Sequence, residues 1–323
     1  MKYLYIIICW SCAWMFAGCN SDVFIEDFLP GETHTVNVSI EDNGKEVLFE
    51  GEEWGVEQIM GDMTSSVQAY TLDEEPAFLP FVEGELGIIR YEDEFLNFCI
   101  EKRSADQLKI ILKENLWNKP FEISIEVGGK YGRKFLHALL APTQKYQIDS
   151  IVYDWSQFAT YQGELKPVDV IGVDNLYGSS PVALTVYPYK DSAREVSFND
   201  NQGLGWDQEC YERLLGEELP EIVIPDMVDW KPVMGNTKVK FGMQYQKLDV
   251  GLDKGLAVKV TVDEHDRKNV RVYNLIEQYT LPYTVYISNP ESGKKRVISG
   301  EMHSELPVDY FVYKEEINDD DYK

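Results

Sequence analysis

The sequence predicts an all-β protein, built of tandem antiparallel β-sandwiches behind an N-terminal targeting segment. Three observations carry that prediction. Apolar residues recur at every second position along most of the chain, which is the period of half-buried strands. Clusters of Gly, Pro, Asn and Asp interrupt these runs at short intervals, where the backbone must turn. The best helical candidate is Asp207 to Leu215, about two and a half turns. Many short alternating strands bury their apolar faces most economically as pairs of packed sheets. No fixed-period repeat points to a solenoid or propeller. With 323 residues, 44% of them apolar and 13% aromatic, the chain can bury sizeable cores in two or three domains.

The elements follow in order. Val36, Val38 and Ile40 alternate with Asn37 and Ser39 and end at the turn Asp42-Asn43-Gly44. Phe121, Ile123, Ile125 and Val127 alternate with Glu122, Ser124 and Glu126 up to Gly128-Gly129, and Ala141-Pro142-Thr143 reads as a linker. Val182, Leu184 and Val186 form another strand, and Asn201-Gln202-Gly203 a turn before the helix. Leu219-Pro220 to Pro225-Asp226 separates a middle unit from the last, in which Val239 to Tyr245, Leu256 to Val262 and Tyr283 to Ile287 alternate. Asn289-Pro-Glu-Ser-Gly293 is a further turn. The expected organisation is a signal segment 1–18, a tether 19–33, domains 34–141, 142–225 and 226–317, and an acidic tail 318–323.

At the N-terminus, Lys2 precedes an uncharged apolar run, Tyr3 to Phe16, that leads into Ala17-Gly18-Cys19. The run is too short to span a bilayer as a helix and has the layout of a cleaved signal peptide. Phe16-Ala17-Gly18-Cys19 resembles the lipobox of bacterial lipoproteins, in which the cysteine after the cut carries the lipid. The resemblance implies Cys19 as first mature residue and lipid-attachment site, with the outer membrane, at its periplasmic face or the cell surface, as location. Several acyl chains make a stable anchor. Cys9 and Cys12 fall in the removed segment; Cys99 and Cys210, far apart, form no disulfide framework. Cys99, in an apolar run, reads as a buried hydrophobe.

Thr35 to Val47, Trp54-Gly-Val56, Leu108-Lys-Ile110 with Glu114-Asn115, and Phe121 to Gly129 together resemble a BACON domain. This resemblance implies an immunoglobulin-like sandwich over about residues 34–141 and a carbohydrate-binding role. Lys119-Pro120 stands where the family usually has an arginine, and the segment from Trp54 to Leu108 is long for it. Asp174-Asn175-Leu-Tyr-Gly-Ser-Ser-Pro181 and Tyr279-Thr-Leu-Pro-Tyr283, each before a strand, resemble the stalk of aerolysin-type pore formers. In that family long Ser/Thr-rich strands carry the function, whereas here the strands read as short and interrupted by charges.

The formal charge of −26 becomes −27 once Lys2 leaves. Such a surface repels phosphate backbones, so nucleic acid is excluded as partner and neutral glycans are favoured over anionic ones. No nucleophile elbow, zinc helix, P-loop, dinucleotide fingerprint or calcium loop occurs. Asp263-Glu-His-Asp266 is the densest group of possible metal ligands, but it sits between strand-like runs and reads as a solvated turn. The expectation is a protein without enzymatic activity, metal or cofactor. Exposed tryptophans among amides and carboxylates suit sugar rings, whose C–H faces pack on flat aromatics. Trp117 lies between Asn115 and Asn118, and Trp206 before Asp207 and Gln208; these six are the candidate ligand-binding residues. Trp54 and Trp155 read as core. The function expected is a lipid-anchored envelope protein that binds a neutral glycan or a partner protein. The alternatives are an adhesin or fimbrial-type structural subunit, or a glycoside hydrolase accessory protein.

Overall fold

The computed structural model describes Leu29 and residues 34–129, 132–200, 207–228 and 231–317. The signal segment, Cys19, Trp206, Trp230 and the acidic tail lie outside the described residues. The chain is all-β, with several sheets and one α-helix among the described residues. It divides into two compact units, Met1–Gln144 and Lys145–Lys323.

The first unit runs through β1 (Thr35–Val38), β2 (Lys45–Leu48), β3 (Gly55–Met60), β4 (Gln68–Tyr70), β5 (Pro76–Ala77), β6 (Gly87–Glu92), β7 (Leu96–Ser104), β8 (Gln107–Asn115), β9 (Phe121–Gly129) and β10 (Gly132–Leu140). Two sheets result, ordered β1-β10-β9-β3 and β2-β8-β7-β6-β4-β5. Each contributes alternate residues to one core: Ile123, Ile125 and Val127 from the first, Phe98, Ile100 and Ile110 from the second. That is the sandwich arrangement, in which period-two alternation turns one face of each sheet inward. β1 pairs with β10 in parallel, Thr35 opposite His137 through Val38 opposite Leu140. The turn after β1 has Asn43 and Gly44 in the left-handed region, as its sequence requires.

The second unit comprises β11 (Gln147–Tyr153), β12 (Ala159–Asp174), β13 (Val182–Val186), β14 (Arg194–Asp200), helix α1 (Gln208–Leu215), β15 (Glu221–Val228), β16 (Lys231–Lys240), β17 (Tyr245–Leu248), β18 (Val258–Val262), β19 (Arg267–Ser288) and β20 (Lys295–Glu316). Its main sheet has the order β11-β19-β20-β14-β17, with β12 also on β19. β13 with β18 and β15 with β16 form separate two-stranded sheets. Val186, Val262, Val270 and Val272 close one core, and Phe198, Tyr211, Phe241 and Tyr283 meet edge-on at 5.5–5.7 Å in another cluster.

Several sequence expectations are corrected here. The division expected at 225/226 falls inside β15, and β14 and β20, from either side of it, share a sheet. Middle and C-terminal segments are therefore one unit, because a long hairpin near the end of the chain pairs back onto earlier strands. Val239 to Tyr245 is not one strand: β16 ends at Lys240, and Gly242, at φ 93°, turns the chain into β17. The strands expected to be short include three long ones, β12 with 16 residues and β19 and β20 with 22 each. Tyr279 to Tyr283 lies within β19 rather than before a strand.

Proline placement explains how such length is tolerated. Pro282 sits in β19 between the last β11 partner, Tyr283 opposite Tyr153, and the first β12 partner, Thr280 opposite Ala159. Its missing N–H falls in the gap between two partner strands, and its carbonyl accepts from Asp154 N–H at 2.9 Å. Pro307 lies in β20 beyond Glu305, the last residue of β20 that pairs with β14.

Candidate functional site

The connection from β8 to β9 presents the first group of candidate residues. Asn115 is fully buried. Its side-chain Nδ2 donates to Leu140 O at 2.8 Å and to Lys119 O at 3.4 Å, while Oδ1 accepts from Trp117 N–H at 3.0 Å. The Asn115 backbone N–H and C=O both bond to Thr143 Oγ1 at 3.0 Å. Asn115 therefore holds the loop in shape, and its own polar atoms are not directed at a ligand. Trp117 is half-buried, with Phe95 edge-on at 6.5 Å and Phe121 tilted at 6.4 Å. Asn118 is exposed. The result is a Trp117 platform flanked by two rings inclined at 70° and 42° to it, on a loop whose backbone Asn115 holds.

Phe95 and Phe121 were not singled out in the sequence. Phe121 carried a strand signal alone, and Phe95 is 22 positions from Trp117. Asp93 positions Phe95: its Oδ1 accepts from the N–H groups of Phe95 and Leu96 at 2.8 and 2.7 Å. The Asp-x-Phe spacing of such a side-chain turn was the available signal.

At the second group, Asp207 is the N-cap of α1, accepting from Cys210 N–H at 3.0 Å. That backbone bond holds its carboxyl below the ordinary aspartate range. Gln208, exposed, donates to Glu212 Oε1 at 2.7 Å. Both thus serve the helix start, and Trp206 lies outside the described residues. Of the other tryptophans, Trp54 is buried and stacked on Phe49 at 3.9 Å, whereas Trp155, expected in the core, is 42% exposed in a 3-10 turn, Trp155–Gln157.

Two clusters have the look of chemistry. Ser124 Oγ and Glu122 Oε1 approach His137 at 2.9 and 3.1 Å, but both at Nδ1. A catalytic triad needs the hydroxyl and the carboxylate on opposite ring nitrogens, so this is a surface polar contact. In the second unit a cavity of about 270 Å³ is lined by Lys166, Glu195, Lys247, Asn274 and Glu305 among others. Lys166 Nζ lies 2.6 and 2.9 Å from Glu195 and Glu305, and Lys247 lies 3.4 Å from Glu195. These charges satisfy one another. At Asp263–Asp266, His265 adopts φ 60° and its Nδ1 lies 3.1 Å from Leu176 O. No group of three or more possible metal ligands converges among the described residues.

No protein-family description matches the chain, and no curated protein resembles it closely enough to match. Some solved structures are similar at low level. The parasporin-2 toxin of Bacillus thuringiensis has 9% identity and a TM-score of 0.26, over 53% of this chain and 73% of that one. The β-pore-forming protein Mpp75Aa1.1 of Brevibacillus laterosporus has 13% identity and a TM-score of 0.24, over 62% and 82%. A lamprey immune protein has 13% identity and a TM-score of 0.28, over 83% and 79%. Likeness at this level assigns no activity to the chain.

Proposed function

We propose that the protein is a non-enzymatic, lipid-anchored protein of the bacterial outer membrane that binds a neutral glycan through its first unit. The observation that carries this reading is the Phe95–Trp117–Phe121 platform on a loop fixed by Asn115. A flat ring offers its face to the C–H side of a sugar. Cys19, after a lipobox-like Phe16-Ala17-Gly18, is the anchor. The first unit is read as an immunoglobulin-like, BACON-like sandwich; two sheets about one core support this. The charge of −26 favours neutral over sulfated or uronic glycans.

Calorimetric titration with neutral oligosaccharides tests the reading. Trp117→Ala should weaken binding about tenfold, or about 1.4 kcal/mol, when titrated below the temperature at which the variant begins to unfold. Wild-type protein that binds no neutral glycan refutes it. Cys19→Ser should abolish lipid labelling and release the protein from the membrane fraction.

A second reading has its own support. β15 and β16 form a hairpin of 8 and 10 residues that belongs to no larger sheet. Strands of about 9–11 residues cross a bilayer when tilted. Membrane insertion predicts leakage from dye-loaded vesicles, and intact vesicles at every protein concentration would dismiss it.

A further inference from the structure

On the outer face of the first unit, β4 and β6 pair with Gln68 opposite Arg90. Strand alternation turns Ala69 and Ile89 into the core and places Gln68, Tyr70, Arg90 and Glu92 on the other side. With Ser65 and Ser66 they line a groove of about 480 Å³. Its parts are held in place. Arg90 donates to Glu74 at 2.7 Å and lies 5.0 Å from the centre of the Tyr70 ring; Tyr70 OH donates to Gln68 Oε1 at 2.7 Å.

One residue, Asp93, bonds both the segment beside the groove and the segment beside Trp117. Asp93 Oδ2 accepts from Tyr91 OH at 2.6 Å and from Thr64 Oγ1 at 3.0 Å, and Thr64 N–H donates to Tyr91 OH at 3.1 Å. This fixes the segment that carries Ser65 and Ser66. The other oxygen of the same carboxylate fixes Phe95, which abuts Trp117. Groove wall and platform are thus set by a single side chain.

We propose that this groove is a second subsite, held by the same Asp93 side chain as the Trp117 platform, for the further sugar units of a neutral oligosaccharide. The proposal rests on the glycan-binding reading above and deepens it. The chemistry of the lining selects the ligand. Arg90 is matched by Glu74 and accompanied by Glu92, so no unbalanced cation invites a sulfate, phosphate or uronate. The Ser65 and Ser66 hydroxyls and the Gln68 amide offer both donors and acceptors, which is what sugar hydroxyls need.

The test is titration calorimetry of the full chain with cello-, xylo- and manno-oligosaccharides from disaccharide to hexasaccharide. The variants are Trp117→Ala, the double variant Ser66→Ala with Gln68→Ala, and Glu92→Gln. Ser66, Gln68 and Glu92 are exposed, so thermal unfolding of these variants should match wild type. The expected result is that Trp117→Ala weakens all lengths that bind, while the groove variants weaken the hexasaccharide about tenfold and leave the disaccharide unchanged. Groove variants that bind the hexasaccharide like wild type overturn the subsite and leave the Trp117 reading standing. Wild type that binds no sugar, including the case in which it binds a peptide, overturns both.

Discussion

Arg194 is 5% exposed, and its guanidinium serves four groups at once. It bonds Asp226 in an ion pair, donates to Pro225 O and Tyr279 OH at 2.7 Å each, and through Nε donates to Ser304 Oγ at 2.9 Å. The β15–β16 hairpin is thereby held on the main sheet. Arg194→Met should cost about 3–5 kcal/mol in urea unfolding, because Asp226 is left without its charge partner; a loss below about 1 kcal/mol would show the pair to be dispensable. Asn115→Ala should cost about 1–3 kcal/mol, since Leu140 O and Trp117 N–H lose their partner, and should lower sugar affinity by freeing the loop. At α1, the depressed folded pKa of Asp207 means that its capping contribution is present above the unfolded value and lost as pH falls through the folded one. Helical signal should therefore decline on acidification below about pH 4, and Asp207→Asn should flatten that decline. Trp117 and Asn115 were visible in the sequence because loop tryptophans with amide neighbours are chemically distinctive. Asn115's inward role was not, since burial is decided by Leu140 and Thr143, which lie 25 and 28 positions away.

Among the elements, the β19–β20 hairpin shows what local pattern can and cannot reveal. Its turn was legible: Asn289 Oδ1 accepts from the N–H groups of Glu291 and Ser292 at 3.0 and 2.9 Å, and Gly293 sits at φ 70°. Space around Gly293 is open, so Gly293→Ala pays only for the left-handed backbone, about 1–2 kcal/mol, measurable by urea unfolding of the whole chain. Strand length was not legible. Pro282, Pro307 and the charged positions between them read as breaks, but each proline stands where no neighbouring strand asks for its N–H. Only the pairing partners make that evident. The helix was legible to within a residue, because Asp207 supplies a cap and the stretch contains no competing turn signal.

At the scale of the molecule, four buried tyrosines make the second unit sensitive to alkali. Burial raises the pKa of Tyr153, Tyr211, Tyr279 and Tyr283 in the second unit. A raised folded pKa gives stability that is full below the unfolded value, near 10, and lost as pH rises above it. In the first unit, burial lowers the pKa of Lys102, which lies over the Trp54 ring at 4.4 Å and donates to Glu85 O at 3.0 Å. The unfolded state then binds the extra proton between the two values, so this contribution improves as pH rises towards 10. Alkaline titration should release tyrosinate absorbance and second-unit structure before the Trp54 fluorescence environment changes; the reverse order would contradict the assignment. The all-β class was readable from alternation, whereas the single second unit was not, because pairing between distant strands leaves no local mark. One last consequence belongs to β1. Since it runs parallel to β10, a pull on the chain before Thr35 against the chain after Leu140 loads their bonds together, in shear, rather than opening them one at a time. A body tethered at its front end and dragged by what it grips would resist tension along that line, and force spectroscopy should find the first unit mechanically stiff.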